Sequence, residues 1–269
     1  MELLLFSTNP DFIQQATKAG VHGIIVDWEN FGKEKRQELA DTQINHDTLD
    51  DLRRVRAATQ GLVVCRINES GVTTKKEVEQ AIDAGADEIL LPMVRTTGQV
   101  EQVLKFARDR CKVGILVETK AAVQIADELA RLPLARVYLG LNDLAIERQV
   151  QNIFSAITDG TVERVKRAFR VPFGFGGLTL PERGQPIPCR LFIGEMARLD
   201  CQFSFLRRSF HRDIHGRDVA IEIPRLLNAI QFARLRSTDQ VAQDRRELDV
   251  AIQAYGRSLP RAGENVLNR

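Results

Sequence analysis

The chain of 269 residues is poor in cysteine and has no long apolar run. Its four cysteines show no CxxC spacing, and Cys65 lies inside a predicted buried strand, so we expect free thiols in a reducing compartment. No apolar stretch approaches the roughly 20 residues that span a bilayer. The N-terminus has only four apolar residues before Ser7 and no basic leader. We therefore expect a cytoplasmic protein.

The sequence also lacks an excess of charge of one sign. It has 38 basic and 36 acidic residues, which are interspersed and leave a formal net charge of +2. This balance gives no indication of a nucleic-acid or membrane surface as the main partner. With 43% hydrophobic residues, the chain can bury a full core as one large domain or two small ones.

Short apolar runs alternate with helical patterns along the whole chain. Eight such runs predict strands, at residues 3–6, 23–27, 62–66, 87–92, 114–118, 137–143, 172–177 and 201–206. Eight strand–helix repeats in about 240 residues match an α/β fold of the (β/α)₈ (TIM) barrel type. The competing doubly wound sheet usually has a glycine-rich first turn, and residues 6–10 contain no glycine.

The predicted barrel domain spans residues 1–236, and residues 237–269 form a further helix and a tail. Apolar residues at helical spacing over 239–255 indicate that this helix buries one face. The sequence leaves open whether that face packs on the barrel or on a neighbouring subunit.

The fifth and sixth predicted strands each end in a carboxylate. Glu118 closes the fifth strand, and Asp143 closes the sixth, with a helix predicted between them over residues 121–131. Ligands and chemistry lie at the carboxyl ends of parallel strands. Two hard oxygen ligands from adjacent strands, with the other positions left to water and substrate, suit Mg²⁺ or Mn²⁺. Acids at strand ends are also ordinary residues at the start of a loop.

Other polar residues follow the predicted strands and converge on the same face. Arg66 would emerge from a buried strand facing the two carboxylates, where a guanidinium can bind a substrate carboxylate and stabilise an oxyanion. A divalent cation beside it would spread the negative charge of an enolate. The remaining candidates at strand ends are Asp27, Glu29, Asn30, Asn68, Asn142, Arg207 and Arg208.

Five motifs at successive strand ends resemble one known family. They are GIIVDWE (23–29), CRIN (65–68), GADEILLPMV (85–94), VET (117–119) and GLNDL (140–144). In this order they resemble the metal-dependent 2-oxo-acid (4-hydroxy-2-oxoheptanedioate-type) aldolase and citrate lyase β-subunit family, part of the phosphoenolpyruvate/pyruvate-binding barrels. The resemblance runs from about residue 3 to 148 and weakens through about residue 210.

The resemblance implies a (β/α)₈ barrel that uses Mg²⁺ or Mn²⁺ to cleave or form carbon–carbon bonds through a pyruvate or acyl-CoA enolate. Glu118 and Asp143 match the metal ligands, and Arg66 matches the residue that holds the carboxylate and the enolate oxygen. The segment Gly140, Leu141 and Asn142 matches the backbone that receives the substrate carboxylate. The family also implies a homotrimer or homohexamer with terminal helices exchanged between subunits.

The sequence departs from the family at the general base. Asp27 and Glu29 match an Asp-x-Glu motif, but the aldolases follow it with a histidine, and this chain has Asn30, which takes no proton at neutral pH. Either Glu29, water on the metal or the substrate itself would then serve as base. A second hypothesis is a catalytically degenerate member that binds a small oxo acid or serves as an oligomeric scaffold.

The region after the seventh predicted strand also departs from the family. The loop 177–188 and the pair Arg207–Arg208 would adapt the site to a different, anionic second substrate, or would simply belong to the surface.

Overall fold

Residues 1–30, 47–207 and 209–260 are described in a computed structural model of the chain. Residues 31–46, Arg208 and the tail after residue 260 lie outside the described residues. Eight parallel strands form one sheet with the order β7-β6-β5-β4-β3-β2-β1-β8. They are β1 (Glu2–Phe6), β2 (Gly23–Asp27), β3 (Leu62–Arg66), β4 (Glu88–Leu91), β5 (Lys112–Val117), β6 (Val137–Leu139), β7 (Phe173–Phe175) and β8 (Phe203–Leu206).

The sheet curls into a nearly closed barrel. β1 pairs with β2 on one side and with β8 on the other, so the first and last strands are neighbours. β7 and β8 are joined by an isolated bridge between Leu178 and Leu206, in which the Leu178 amide donates to the Phe205 carbonyl at 2.8 Å. This order confirms the predicted (β/α)₈ barrel.

Helices follow the strands and form the outer layer. Within the described residues they are α1 (Pro10–Lys18), α2 (Leu49–Ala58), α3 (Thr74–Asp83), α4 (Thr97–Ala107), α5 (Lys120–Gln124), α6 (Ala126–Leu129), α7 (Leu141–Arg148), α8 (Ser155–Thr158), α9 (Thr161–Ala168), α10 (Cys189–Arg198), α11 (Ser209–Ile214), α12 (Val219–Arg234) and α13 (Thr238–Ser258). The single helix predicted over 121–131 is therefore wrong. The chain turns at Ile125, whose backbone leaves the helical region (φ −98°, ψ 21°), and two short helices result.

The barrel strands bury both faces, which explains why the sequence shows them as near-continuous apolar runs. Outward-facing residues pack against the helices, and a separate cluster fills the barrel interior. The interior cluster consists of Leu4, Ile25, Val64, Leu90, Leu116, Tyr138, Phe203 and Phe205. β7 contributes Gly174 at this level, where a Cβ would lie 2.4 Å from the Phe203 carbonyl oxygen. A glycine there lets the large aromatic rings share the interior.

A buried ion pair closes the amino-terminal end of the barrel. Arg136, which precedes β6, donates from Nε to Glu88 at 2.8 Å and from Nη1 to Glu2 at 3.1 Å. Its guanidinium also lies over the Phe203 ring, 4.9 Å from the centroid. The amino-terminal end of the barrel is therefore held by a structural ion-pair network.

The C-terminal helix α13 packs on helices of the same barrel. Its Leu248 and Ile252 are buried in the core, and Arg245 donates to Glu195 of α10 at 2.5 Å. None of the described helices is long and apolar enough to cross a membrane. All four cysteines are buried and free of disulfides, as the sequence predicted.

Candidate active site

A cavity of about 310 Å³ opens at the carboxyl ends of the strands. We call it the mouth cavity. Seven of the candidate residues named from the sequence line it: Arg66, Glu118, Gly140, Leu141, Asn142, Asp143 and Arg207. Its remaining wall is largely aromatic and includes Phe6, Tyr138, Phe154 and Phe205. An apolar cavity with a few convergent charged groups is typical of a small-molecule site.

Arg66 is held rigidly at the end of β3. The register of β2 and β3 places Asp27 directly beside it. The guanidinium donates from Nε to Asp27 Oδ1 at 2.8 Å and from Nη2 to Oδ2 at 2.6 Å, while Nη1 lies 3.2 Å from Glu29 Oε2. Burial lowers the pKa of Arg66, but the charges of Asp27 and Glu29 outweigh burial and raise it. Arg66 therefore stays charged and points in one direction.

Asp27 and Glu29 are buried behind Arg66 and are not among the residues that line the mouth cavity. The Asp27 amide in turn donates to Asp47 Oδ2 at 2.8 Å. Burial is the largest cause that raises the pKa of Asp47, which reaches about 6. The geometry thus places Asp27 and Glu29 as positioning groups for Arg66. The catalytic roles predicted for them stay predictions.

Asn30 lies apart from this cluster. Its side chain is exposed and does not line the mouth cavity, and its backbone amide donates to Asn68 Oδ1 at 2.9 Å. Asn68 is held by Glu77, which accepts hydrogen bonds from its backbone and side-chain nitrogens at 2.9 and 3.2 Å. The structure therefore does not place the Asn30 side chain on the wall of the mouth cavity, and the catalytic role predicted for Asn30 stays a prediction.

Glu118 follows the last residue of β5 and is almost fully buried. Its Oε1 accepts a hydrogen bond from the Met93 amide at 2.9 Å, which orients the carboxylate. Burial raises the pKa of Glu118 to about 8, and the nearby charges of Asp143 and Glu29 act in the same direction. Two nearby acids, one buried and one half-buried, repel each other when both are ionised and no cation is present.

Asp143 differs from its prediction in one respect. The sequence suggested that it closes a strand, but β6 ends at Leu139, and Asp143 lies in the first turn of α7. Leu141 and Leu144 are buried at helical spacing, which favours a helix over further strand. An acid in the first turn is stabilised by the helix dipole. The amides of Leu141 and Asn142 precede the first intrahelical hydrogen bond, which Leu144 donates to Gly140.

The donor set fits a divalent cation held by two carboxylates. No group of three or more His, Cys, Asp or Glu side chains is placed to hold a metal ion within the described ranges of the chain. Glu118 and Asp143 would therefore leave most coordination positions to water and substrate, as Mg²⁺ commonly does. A cation between them would also remove the repulsion that raises the Glu118 pKa.

Sequence reasoning missed Tyr138 as a cavity residue. It lies inside the apolar run of β6, where it was indistinguishable from core. However, side chains two residues apart share a face of a strand, and Gly140 also lines the cavity. Leu116 and Glu118 have the same spacing of two and also line the cavity. The alternation of side chains between the two faces of β6 could therefore have identified Tyr138 as a cavity residue.

The fold and the mouth cavity define a (β/α)₈ barrel with an arginine and two acids at its carboxyl-terminal mouth. The family model for HpcH/HpaI aldolase/citrate lyase matches residues 2–153, which is more than half of the chain. The chain belongs to this family. Membership supports a lyase or aldolase function.

Solved structures show the same fold at low sequence identity. Citrate synthase SbnG is 16% identical, with a TM-score of 0.59 over 79% of this chain and 89% of that one. RipC from Yersinia pestis is 12% identical, with a TM-score of 0.55 over 90% of this chain and 98% of that one. At these identities the likeness concerns the fold alone. No curated protein sequence matches the chain significantly.

Proposed function

We propose that the protein is a divalent-metal-dependent carbon–carbon lyase or aldolase that acts through the enolate of a 2-oxo acid. One observation carries the proposal: the mouth cavity brings Arg66, Glu118 and Asp143 together from three separate segments. The family supports the reaction class. The 4-hydroxy-2-oxoheptanedioate-type substrate and an acyl-CoA donor are the finer alternatives. The cavity of about 310 Å³ is at the lower end of ligand pockets, which favours a small acid.

The acid pair, Arg66 and the start of α7 each have a role in this proposal. Glu118 and Asp143 would hold Mg²⁺ or Mn²⁺, and the bound cation would supply charge stabilisation for an enolate. Arg66 binds the substrate carboxylate and the enolate oxygen, and Asp27 and Glu29 keep its guanidinium in place. The amides of Leu141 and Asn142 point from the start of α7, where backbone N–H groups favour an anion.

Proton exchange at pyruvate tests this proposal directly. With Mn²⁺ in D₂O, we expect the methyl protons of pyruvate to exchange for deuterium at a rate proportional to protein concentration, because the site stabilises the enolate. Proton NMR measures the exchange. A matched sample with the metal removed by EDTA should show only the background rate.

The second candidate function is binding of a small oxo acid without catalysis, or an oligomeric scaffold. It is favoured by Asn30, which stands where the aldolases have a histidine and lies outside the mouth cavity. Binding of pyruvate without exchange would support it and contradict the enzyme. The choice between Mg²⁺ and Mn²⁺ and the homotrimer or homohexamer stay predictions.

Replacing Gly140 by alanine should disturb the acid pair while the fold is kept. Gly140 has an ordinary backbone (φ −82°), but a Cβ would lie 2.4 Å from Glu118 Oε2 and 2.9 Å from Glu118 Cβ. The carboxylate must move, and we expect Mn²⁺ affinity to fall about 10–100-fold, the size of effect seen when the support of a metal ligand is lost. Isothermal titration calorimetry measures the affinity.

Gly98→Ala is the matched control for Gly140→Ala. A Cβ at Gly98 would meet only Thr96 Oγ1 at 3.9 Å, on the exposed side of α4. Mn²⁺ should bind this variant as it binds the parent. If Gly140→Ala also retained full affinity, the acid pair would not be the metal site.

A further inference from the structure

Tyr138 lines the mouth cavity with a hydroxyl that makes no hydrogen bond within the described part of the chain. The residue as a whole is only 5% exposed. Among the described residues, the enclosed side-chain atoms without a partner are Arg207 Nε and Ser209 Oγ, so the Tyr138 hydroxyl is not itself enclosed. A buried phenol whose hydroxyl is neither bonded nor enclosed presents that hydroxyl to the cavity, where a ligand can bind it.

The ring of Tyr138 is held at a fixed angle. It stacks on Phe205 with centroids 3.7 Å apart and planes at 13°, and its centroid lies 5.8 Å from that of Phe203. A Cβ built at Gly177, two residues after the end of β7, would lie 3.6 Å from the hydroxyl. Gly177 has φ +119° and no side chain, so the space beside the hydroxyl stays open. The phenol therefore reaches the level of the loop that follows β7.

The phenol lies close to the groups proposed to hold the enolate. In the register of β5 and β6, Tyr138 is beside Leu116, and Glu118 follows Leu116 by two residues. Two residues advance a strand by about 6.6 Å, so a molecule of a few carbon atoms can bridge the phenol and the acid pair. The charges of Arg66 and Glu118 both act on the ionisation of the phenol, as expected for groups around one small cavity.

The surroundings of Tyr138 suit a proton donor. Burial is the main cause that raises the pKa of Tyr138, and Cys201 acts in the same direction, whereas Arg66 and Arg207 lower it. The phenol is therefore neutral at neutral pH and can donate. An aldol addition turns the aldehyde oxygen into an alkoxide, which is a stronger base than a phenolate. Asn30 cannot supply this proton, and the two guanidinium groups would stabilise the phenolate that Tyr138 leaves.

We propose that Tyr138 is the catalytic acid–base at the hydroxyl oxygen of the aldol. The inference rests on the proposed function, in which Arg66 and the acid pair hold the 2-oxo-acid enolate. In addition, the electron pair of the enolate forms the bond to the carbonyl carbon, the carbonyl π pair moves to oxygen, and that oxygen takes the phenol proton. Water then returns a proton to the phenolate. Cleavage runs through the same steps in reverse, and water protonates the released enolate at carbon.

Cleavage of 4-hydroxy-2-oxopentanoate and deuterium exchange at pyruvate separate the role of Tyr138 from that of the enolate site. With Mn²⁺ present, Tyr138→Phe should lower kcat for cleavage about 10²–10⁴-fold and change KM less than about threefold. Lactate dehydrogenase measures the released pyruvate. Exchange forms the enolate without any aldol oxygen, so the variant should exchange pyruvate within about threefold of the parent rate.

A second aldol tests the proton transfer itself. Its terminal methyl group is replaced by trifluoromethyl, which makes the hydroxyl more acidic and less dependent on a base. The loss of cleavage in Tyr138→Phe should therefore be smaller for this aldol, by about tenfold or more. A residue that only supports the fold would lower cleavage of both aldols equally.

Tyr255→Phe is the matched control, because Tyr255 is the second of the two tyrosines in the chain. Its ring packs on Phe154 with centroids 5.6 Å apart, and it is not among the residues that line the mouth cavity. This variant loses the same oxygen and should keep the parent rates of cleavage and exchange.

Several outcomes would overturn the role of Tyr138 while the enolate site stands. They are parent-like cleavage by Tyr138→Phe, an equal loss on both aldols, a parallel loss of exchange, and a parent that exchanges pyruvate but cleaves neither aldol. If the parent did not exchange pyruvate, the proposed function would fail and the inference with it. Should Tyr138→Phe not fold, fluorotyrosine incorporated into Tyr255→Phe labels Tyr138 alone. Cleavage should then change more than about twofold at constant exchange, and unchanged cleavage would overturn the inference.

Discussion

Arg66→Met is expected to lower the free energy of unfolding by about 3–5 kcal/mol, because it leaves two buried carboxylates without their cation. Asp27 is fully buried, Glu29 is 2% exposed, and both contact the guanidinium directly. The methionine also loses the contact of the guanidinium with the Phe6 ring, 5.4 Å from the centroid. Urea unfolding should show a lower midpoint with an unchanged slope. Binding of pyruvate should be lost in the same variant.

Arg136→Met is the matched control at the opposite end of the barrel. Arg136 is equally buried, pairs with Glu88 and lies over an aromatic ring, but it is remote from the mouth cavity. It should lose a comparable amount of stability and still bind pyruvate under conditions where it is folded. A stability loss below about 1 kcal/mol in Arg66→Met would show that the pair with Asp27 and Glu29 contributes little.

Glu118→Gln is expected to reduce turnover by about 10²–10⁴-fold with the fold intact. The amide oxygen of glutamine can still accept the hydrogen bond from Met93, so the local structure is kept. What is lost is one of two charges for the cation, whose stabilisation of an enolate is worth several kcal/mol. Pyruvate exchange in D₂O over a range of Mn²⁺ concentrations measures the loss. Unchanged exchange would remove Glu118 from the mechanism.

The same variant should also change the pH dependence of stability when the metal is removed. The Glu118 pKa is about 8 in the folded state and near 4.3 when unfolded, so folding takes up a proton between these values. The contribution of Glu118 to the free energy of unfolding of the parent is therefore largest below about pH 4, and it is lost as the pH rises through 8. Glu118→Gln does not lose stability in this way. In EDTA the stability of the variant relative to the parent should therefore increase from pH 5 to 8. Thermal unfolding at several pH values checks the trend.

The sequence predicted the strands that carry the site more fully than the contacts between the side chains of the site. Apolar runs such as those of β2 and β3 identified the strands, because a strand buried on both faces tolerates few polar residues. The position of Arg66 at the end of β3 then followed. Its pairing with Asp27 did not, because the pairing depends on the register between two strands whose paired residues are 39 positions apart in the chain.

Asp143 shows a different limit. An apolar run that ends in an acid has the same appearance whether the acid closes a strand or lies in the first turn of a helix. The extended backbone ends at Gly140. Leu141 and Leu144 are both buried and lie three residues apart, which is the spacing of one face of a helix. A strand end and the first turn of the following helix both place the carboxylate at the carboxyl-terminal mouth of the barrel. Asp143 therefore lines the same cavity as Glu118, although the secondary structure predicted for it was wrong.

The isolated bridge at Leu178 has a consequence for how the barrel opens. Seven of the eight junctions between neighbouring strands are ladders, whereas β7 and β8 are joined by the isolated bridge at Leu178 and by one further backbone hydrogen bond, which the Gln202 amide donates to the Phe173 carbonyl at 3.0 Å. Local opening starts where the fewest hydrogen bonds must break. The wall that carries Arg207, just after β8, therefore borders the junction of lowest local stability, and the wall that carries Glu118 belongs to the continuous part of the sheet. Local opening of the barrel should therefore widen the mouth cavity on the side of Arg207, while the side that holds Glu118 and Asp143 keeps its shape.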